Sequence, residues 1–135
     1  MNIQPYLFLE GRSEEAIAFY QAALGAEVDM LMRFGDHPAP GTMAMSPPAD
    51  RVMHARLRIG DAVVLLSDGR CGGAPSFEGF ALSLTTSDID DAKRKFAALA
   101  EGGAVRMPLD ETFFSPCFGM VTDRFGVLWM VYVGA

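Results

Sequence analysis

Apolar positions repeat along the chain with a helical period in two places and with a strand period around them. One helical repeat spans about Glu14 to Leu24, and a second spans about Ile89 to Glu101. Apolar residues of the two repeats match at one constant offset: Ala16 with Ala92, Tyr20 with Phe96, and Ala23 with Leu99. We therefore predict that the chain contains two copies of one supersecondary unit.

Residues that favour helix ends mark the limits of both helices. Ser13, followed by Glu14 and Glu15, predicts a capped start with acidic residues in the first turn, and Gly25 predicts the end. Asp88 is the predicted cap of the second helix. Because the helix dipole alone explains acidic residues at helix starts, we assign them no catalytic role.

Alternating apolar and polar residues predict the strands around each helix. The predicted strands are Pro5–Leu9, Val28–Phe34, Val52–Ile59 and Ala62–Leu66, then Phe80–Thr85, Ala104–Leu109, Phe118–Thr122 and Val127–Val133. On the second of them, Val28, Met30 and Met32 are expected to face the core. Each half thus reads as a βαβββ module of the α+β class. Two such modules side by side would form an open barrel-like cup with the helices outside.

A Gly-rich segment, DGRCGGAPS, separates the two halves. We predict a single domain in which module 1 (residues 1–67) and module 2 (residues 79–135) are joined by a linker of residues 68–78. The interior of the cup is the predicted place for a ligand.

Charge and apolar content exclude several classes of partner. The formal net charge is −6 and the 11 Lys and Arg residues are scattered, so we expect no nucleic acid and no anionic membrane surface as a partner. The longest apolar run, Val127–Val133, is far below the roughly 20 residues that a membrane helix needs. Cys71 and Cys117 lack metal-type spacing, which indicates free thiols and a cytoplasmic location.

Three stretches of the chain carry a resemblance to a known family. They are PYLFLEGRSEEAIAFYQAALGAEV, MHARLRIGDAVVLLSDG and PLDETFFSPCFGMVTDRFGVLWMV. They resemble the PhnB-like group of the vicinal oxygen chelate superfamily, which includes glyoxalase I, extradiol dioxygenases and bleomycin resistance proteins. Some members of this group are labelled demethylubiquinone methyltransferases, but no Gly-rich nucleotide loop opens a helix in this chain, so we predict no such activity.

The resemblance also implies four positions for metal ligands. Enzymes of the superfamily hold a divalent metal with His or Gln on the first strand of each module and with Glu on the fourth. In this chain the resemblance places these positions at Tyr6, Leu65, Ala81 and Met130. Because this set lacks the imidazole and carboxylate ligands that Mg, Zn, Fe and Ni prefer, we predict a protein that binds no metal and no other cofactor.

The remaining candidates are side chains that would line the cup. On the third strand, Ala55 and Leu57 are expected to face the core, so His54 and Arg56 face the cup. An imidazole there can form hydrogen bonds, and a guanidinium can bind an anion. The complete set of predicted ligand-binding residues is Tyr6, Phe8, His54, Arg56, Leu65, Ala81, Ser83, Phe113, Phe114 and Met130, and catalytic residues are left unassigned. His37, in the Pro-rich segment, is expected to be exposed.

These residues leave several functions open. The first is a metal-free protein that binds a small organic molecule in the cup without turnover. The second is an enzyme acting in the same cup, with a metal held by other ligands or with His54 and Tyr6 as acid and base. A purely structural, partner-binding dimer is a third. We also predict a homodimer that uses Gln4–Leu9 and the Phe113–Phe114 loop as contacts, because open sheets leave edge strands unpaired.

Overall fold

Each half of the chain folds into a strand, a helix and three further strands. A computed structural model describes residues 1–36, 48–69, 71 and 73–134. The chain divides into two compact units, Met1–Pro75 and Ser76–Ala135. The predicted α+β class and the two βαβββ modules are confirmed. His37, which was expected to be exposed, lies outside the described residues.

The first module forms a four-stranded mixed sheet. Its elements are β1 (Tyr6–Phe8), α1 (Ser13–Leu24), β2 (Glu27–Arg33), a 3-10 turn (Phe34–Asp36), β3 (Val52–Ile59) and β4 (Ala62–Ser67). The strand order is β1-β4-β3-β2. Strand β1 runs parallel to β4, and the other neighbours are antiparallel. Gly60 turns the chain from β3 to β4 with a φ of 58°, a conformation that glycine adopts without strain.

The second module repeats this topology. Its elements are β5 (Leu82–Thr86), α2 (Ile89–Ala100), β6 (Ala104–Asp110), β7 (Phe118–Thr122) and β8 (Leu128–Val133). The strand order is β5-β8-β7-β6, with β5 parallel to β8. Neither of the two helices that the structure describes is long and apolar enough to cross a membrane.

One face of each sheet carries the apolar core that packs against the helix of the same module. In the first sheet, Ala55, Leu57 and Leu66 are fully buried, and so is Tyr20 of α1. In the second sheet, Val121 and Val131 are fully buried with Leu99 of α2. Because successive side chains of a strand point to opposite faces, the residues between these positions lie on the face that the helix does not cover.

The methionines of β2 do not belong to this core, and the prediction for them is wrong. Val28 and Met30 are exposed. The strand register places Met30 beside Arg56 and Met32 beside His54, both on the uncovered face. Alternation identifies an apolar face of a strand, but it does not reveal which side of the sheet the helix covers. Strand β2 therefore adds methionines to the uncovered face.

The start of α1 is held by a residue that is distant in sequence. Arg12, and not Ser13, occupies the cap position, and it forms no side-chain cap hydrogen bond. The buried Asp68 instead accepts hydrogen bonds from the backbone N–H of Ser13 at 2.8 Å and from that of Val52 at 2.7 Å. The predicted cap at Ser13 is therefore wrong, because a carboxylate from the end of β4 satisfies the first helical N–H.

We expect Asp68→Ala to lower the free energy of unfolding by about 3 kcal/mol, because it leaves two buried N–H groups without acceptors. Ser13→Ala is expected to leave the free energy of unfolding unchanged, since the buried Ser13 hydroxyl has no hydrogen-bond partner among the described residues. Asp88→Ala is the control and should cost about 1 kcal/mol, because the Asp88 carboxylate accepts from the Asp90 N–H at 2.9 Å. Denaturant unfolding measures the free energy of unfolding of all three variants. A loss for Ser13→Ala equal to that for Asp88→Ala would show that Ser13 is the cap after all.

Candidate functional site

The face of the first sheet that α1 does not cover brings together the candidates predicted in the first module. We call the part of this face formed by Tyr6, Phe8, Met30, Met32, His54, Arg56 and Leu65 the open face, and Arg58 and Val63 lie farther along the same side of the sheet. Across the strands, Leu65 lies between Tyr6 and Arg56, and Met30 follows Arg56. Two residues farther along these strands, Phe8 lies beside Ser67, and His54 lies beside Met32. The open face is therefore apolar and aromatic, with one imidazole and one guanidinium.

Tyr6 and His54 are joined by a hydrogen bond on this face. The Tyr6 hydroxyl lies 2.8 Å from Nδ1 of His54, and the two ring centroids are 5.5 Å apart. Phe8 stacks on Tyr6 with ring centroids 4.9 Å apart. Tyr6 is still 38% exposed and Phe8 is 54% exposed. The aromatic surface beside the hydrogen-bonded pair is thus accessible to a ligand.

The Tyr6 hydroxyl remains protonated at neutral pH. Desolvation raises the pKa of Tyr6 above its ordinary value of 10.0, and a hydrogen bond with the Ser67 side chain opposes that rise. Ser67 also accepts a hydrogen bond from the N–H of Gly69 at 2.9 Å. The Tyr6 proton can be donated to Nδ1 of a neutral His54, which leaves the Nε2–H of His54 as a donor for a ligand.

The two arginines of β3 differ in their surroundings. Arg58 forms ion pairs with Glu27 and, at 3.1 Å, with Asp29. Arg56 is exposed and lies between Leu65 and Met30 in the register, and the described part of the chain contains no ion-pair partner for it. Arg56 is therefore the positively charged side chain of the open face, and it has no ion-pair partner among the described residues.

The metal-ligand positions implied by the resemblance carry poor donors. In the first module, Tyr6 lies beside Leu65. In the second module, Met130 lies beside Ser83, whereas Ala81 precedes β5. Ser83, and not Ala81, is thus the residue paired with Met130 in the register. These side chains supply no imidazole and no carboxylate, so they do not fit a divalent metal. Within the described ranges, no group of three or more His, Cys, Asp and Glu side chains could hold a metal ion.

Phe113 and Phe114 belong to an aromatic cluster in the second module. Phe114 stacks on Tyr132 with ring centroids 6.2 Å apart and packs edge-on against Phe118 at 5.1 Å. Phe118 and Tyr132 are cross-strand partners on β7 and β8. Phe113 contacts Phe114 edge-on and is otherwise fully exposed, at 101%. An unburied phenylalanine on an anchored aromatic cluster is a candidate contact for another molecule.

Several residues around these candidates were not selected from the sequence. Ser67 continues the alternation of β4 two residues after Leu65, and this signal would have placed it on the same face as Leu65. Met30 and Met32 were assigned to the core because their alternation fits either face of the sheet. Tyr132 follows Met130 with the same strand period, but its contact with Phe114 depends on how the loop before β7 folds.

Comparisons with known proteins agree with this architecture. Residues 3–131 match the Glyoxalase/Bleomycin resistance protein/Dioxygenase superfamily. Protein YjdN of Escherichia coli is 37% identical over 98% of this chain and 95% of its own length. The crystal structure of protein PA1353 from Pseudomonas aeruginosa has 39% identity and a TM-score of 0.84, with 99% of this chain and 98% of that chain covered. The PhnB protein from Bacillus cereus has 27% identity and a TM-score of 0.82, covering 99% and 100%.

Proposed function

The chain belongs to the glyoxalase/bleomycin resistance protein/dioxygenase superfamily, and we propose that it binds a small organic molecule without the help of a metal. The ligand lies on the open face of the first module, where Tyr6 and Phe8 supply an aromatic surface and His54 supplies a hydrogen bond. The protein acts in the cytoplasm as a homodimer and does not convert its ligand.

The hydrogen bond between Tyr6 and His54 carries this proposal. Small-molecule sites are typically apolar surfaces with a few placed polar groups that fix the orientation of the ligand. The open face has this composition, because a 2.8 Å polar pair is surrounded by Phe8, Leu65 and two methionines. Met30 and Met32 are flexible and polarizable, so they can adapt to the shape of a ligand.

Acid–base catalysis by the same pair is a second candidate function. Its support is that the Tyr6 hydroxyl keeps its proton and lies within hydrogen-bond distance of an imidazole, which is the arrangement a proton-transfer enzyme needs. An enzyme of this kind would move a proton to or from the bound molecule. Recovery of a chemically altered ligand after incubation would favour the enzyme, whereas recovery of the unchanged ligand would favour binding alone.

Metal retention tests the metal-free part of the proposal. Protein purified without a tag and dialysed in turn against excess Zn, Ni, Mn and Fe is expected to retain well below one equivalent, because Leu65 and Met130 offer these ions no suitable donor. Elemental analysis by mass spectrometry measures the retained metal. Tyr6→Phe is the control, since any ion held by the phenolate would be lost in that variant. A stoichiometric ion located beside Tyr6 by anomalous scattering would overturn the proposal.

A further inference from the structure

Arg56 has an unusual electrostatic position in this protein. The chain carries a formal net charge of −6, and several basic side chains are paired with carboxylates close to them. Arg33 pairs with Glu14, and Arg58 pairs with Glu27 and Asp29. Arg56, one step along the same face of β3 from Arg58, has no such pair among the residues that the structure describes.

The neighbours of Arg56 on the open face are apolar. Leu65 of β4 lies on one side and Met30 of β2 on the other, and neither can neutralise a guanidinium. Tyr6 follows Leu65 on β1, so two strand spacings separate Tyr6 from Arg56, about 10 Å along the sheet. A one-ring or two-ring molecule that carries an anionic group can bridge a gap of this size, because the arginine side chain is long and flexible.

We propose that the ligand is a planar aromatic molecule that carries one carboxylate. Its ring lies against Tyr6 and Phe8, and its carboxylate pairs with the guanidinium of Arg56. A guanidinium presents a planar fork of N–H donors that matches the two oxygens of a carboxylate. The pair formed by Tyr6 and His54 then hydrogen-bonds a polar substituent of the ring. This inference rests on the proposed function and adds the chemical class of the ligand to it.

The experiment compares 2-naphthoate with its neutral analogue 2-naphthamide. Both are titrated into the full chain while the methyl resonances of Met30 and Met32 are followed by NMR. We expect naphthoate to bind about tenfold more tightly than naphthamide, because the guanidinium and the carboxylate are partly exposed to solvent and their attraction is screened. Acetate, which has the charge and no ring, is expected to leave both resonances unchanged at the same concentrations.

Substitutions at the two arginines of β3 test which side chain causes the preference for naphthoate over naphthamide. Arg56→Gln should weaken naphthoate binding about tenfold and leave naphthamide binding unchanged. Arg58→Gln is the matched control on the same strand and face, and it should change neither affinity, because Glu27 and Asp29 already neutralise that guanidinium. Equal affinities for the two probes, or a preference that Arg56→Gln retains, would overturn the ligand class while leaving the aromatic site intact. If neither probe moves the Met30 and Met32 resonances, both this inference and the proposed site are wrong.

Discussion

Replacing Phe113 and Phe114 together with aspartate is expected to convert the proposed homodimer to a monomer at micromolar concentration. Phe113 is fully exposed although it belongs to an aromatic cluster, and a soluble protein gains by burying such a surface against a second copy. Full burial of an exposed phenylalanine contributes about 1.5–3 kcal/mol. Phe113 gains this in full, whereas Phe114 is 47% exposed and gains about half, so a symmetric contact loses at least about 4.5 kcal/mol. The dissociation constant should therefore rise by a factor of about 10³ or more.

Sedimentation equilibrium at about 10 μM decides the outcome, since a standard-size interface holds a dimer at this concentration. Phe114 also packs on Phe118 and Tyr132 of its own chain, so its replacement costs stability within the monomer. The single variant Phe113→Asp avoids that cost and is expected to weaken the dimer without lowering the melting temperature of the monomer. A single-chain mass for the unaltered protein would refute the dimer, and a dimer that persists in the double variant would refute this surface.

Local patterns were sufficient to predict the elements of the fold. The helix end at Gly25 and the cap at Asp88 are set by residues within the same turn, and both predictions are confirmed. Strand β3 was predicted with its observed bounds, because eight alternating residues end at a Gly-Asp turn. Strand β5 begins at Leu82 rather than at Phe80, since alternation does not reveal where pairing with β8 begins.

Contacts between distant residues could not be predicted in the same way. Asp68 binds the N–H of Ser13 across 55 positions, and nothing near Ser13 indicates this partner. Tyr6 and His54 were both selected as candidates, but the hydrogen bond between them spans 48 positions and depends on β4 lying between β1 and β3. The position of Ser83 beside Met130 likewise follows from the register of a parallel pair, which the sequence alone does not specify.

Ion pairs within one helix follow from the local sequence, whereas ion pairs between strands do not. The partners of Arg94 and Lys95 lie one helical turn away at Asp91, as expected for neighbours at helical spacing. The pair between Arg58 and Glu27 joins two strands, and it explains why Arg58 and Arg56 differ although they share one face. The role proposed for Arg56 therefore rests on the structure, because the alternation of β3 places both arginines on one face and does not distinguish them.

Loss of ligand binding in Leu65→Trp is the second large effect that we expect. Leu65 lies between Tyr6 and Arg56 on the open face, so an indole at this position would occupy the surface where the ligand ring lies. The fold should survive, because Leu65 is only half-buried and faces away from α1. Val63→Trp is the matched control on the same strand, since Val63 lies beside Arg58 and outside the open face, and this variant should bind normally.

The most direct test of metal-free binding on the open face is the melting temperature of the protein with 2-naphthoate, recorded with and without EDTA. At a probe concentration 100-fold above its dissociation constant, binding should stabilise the chain by about 2.7 kcal/mol and raise the melting temperature by about 10 °C. We predict that EDTA does not change this rise, that Val63→Trp keeps it and that Leu65→Trp abolishes it. A rise that requires a divalent metal, or one that Leu65→Trp retains in full, would contradict metal-free binding on the open face.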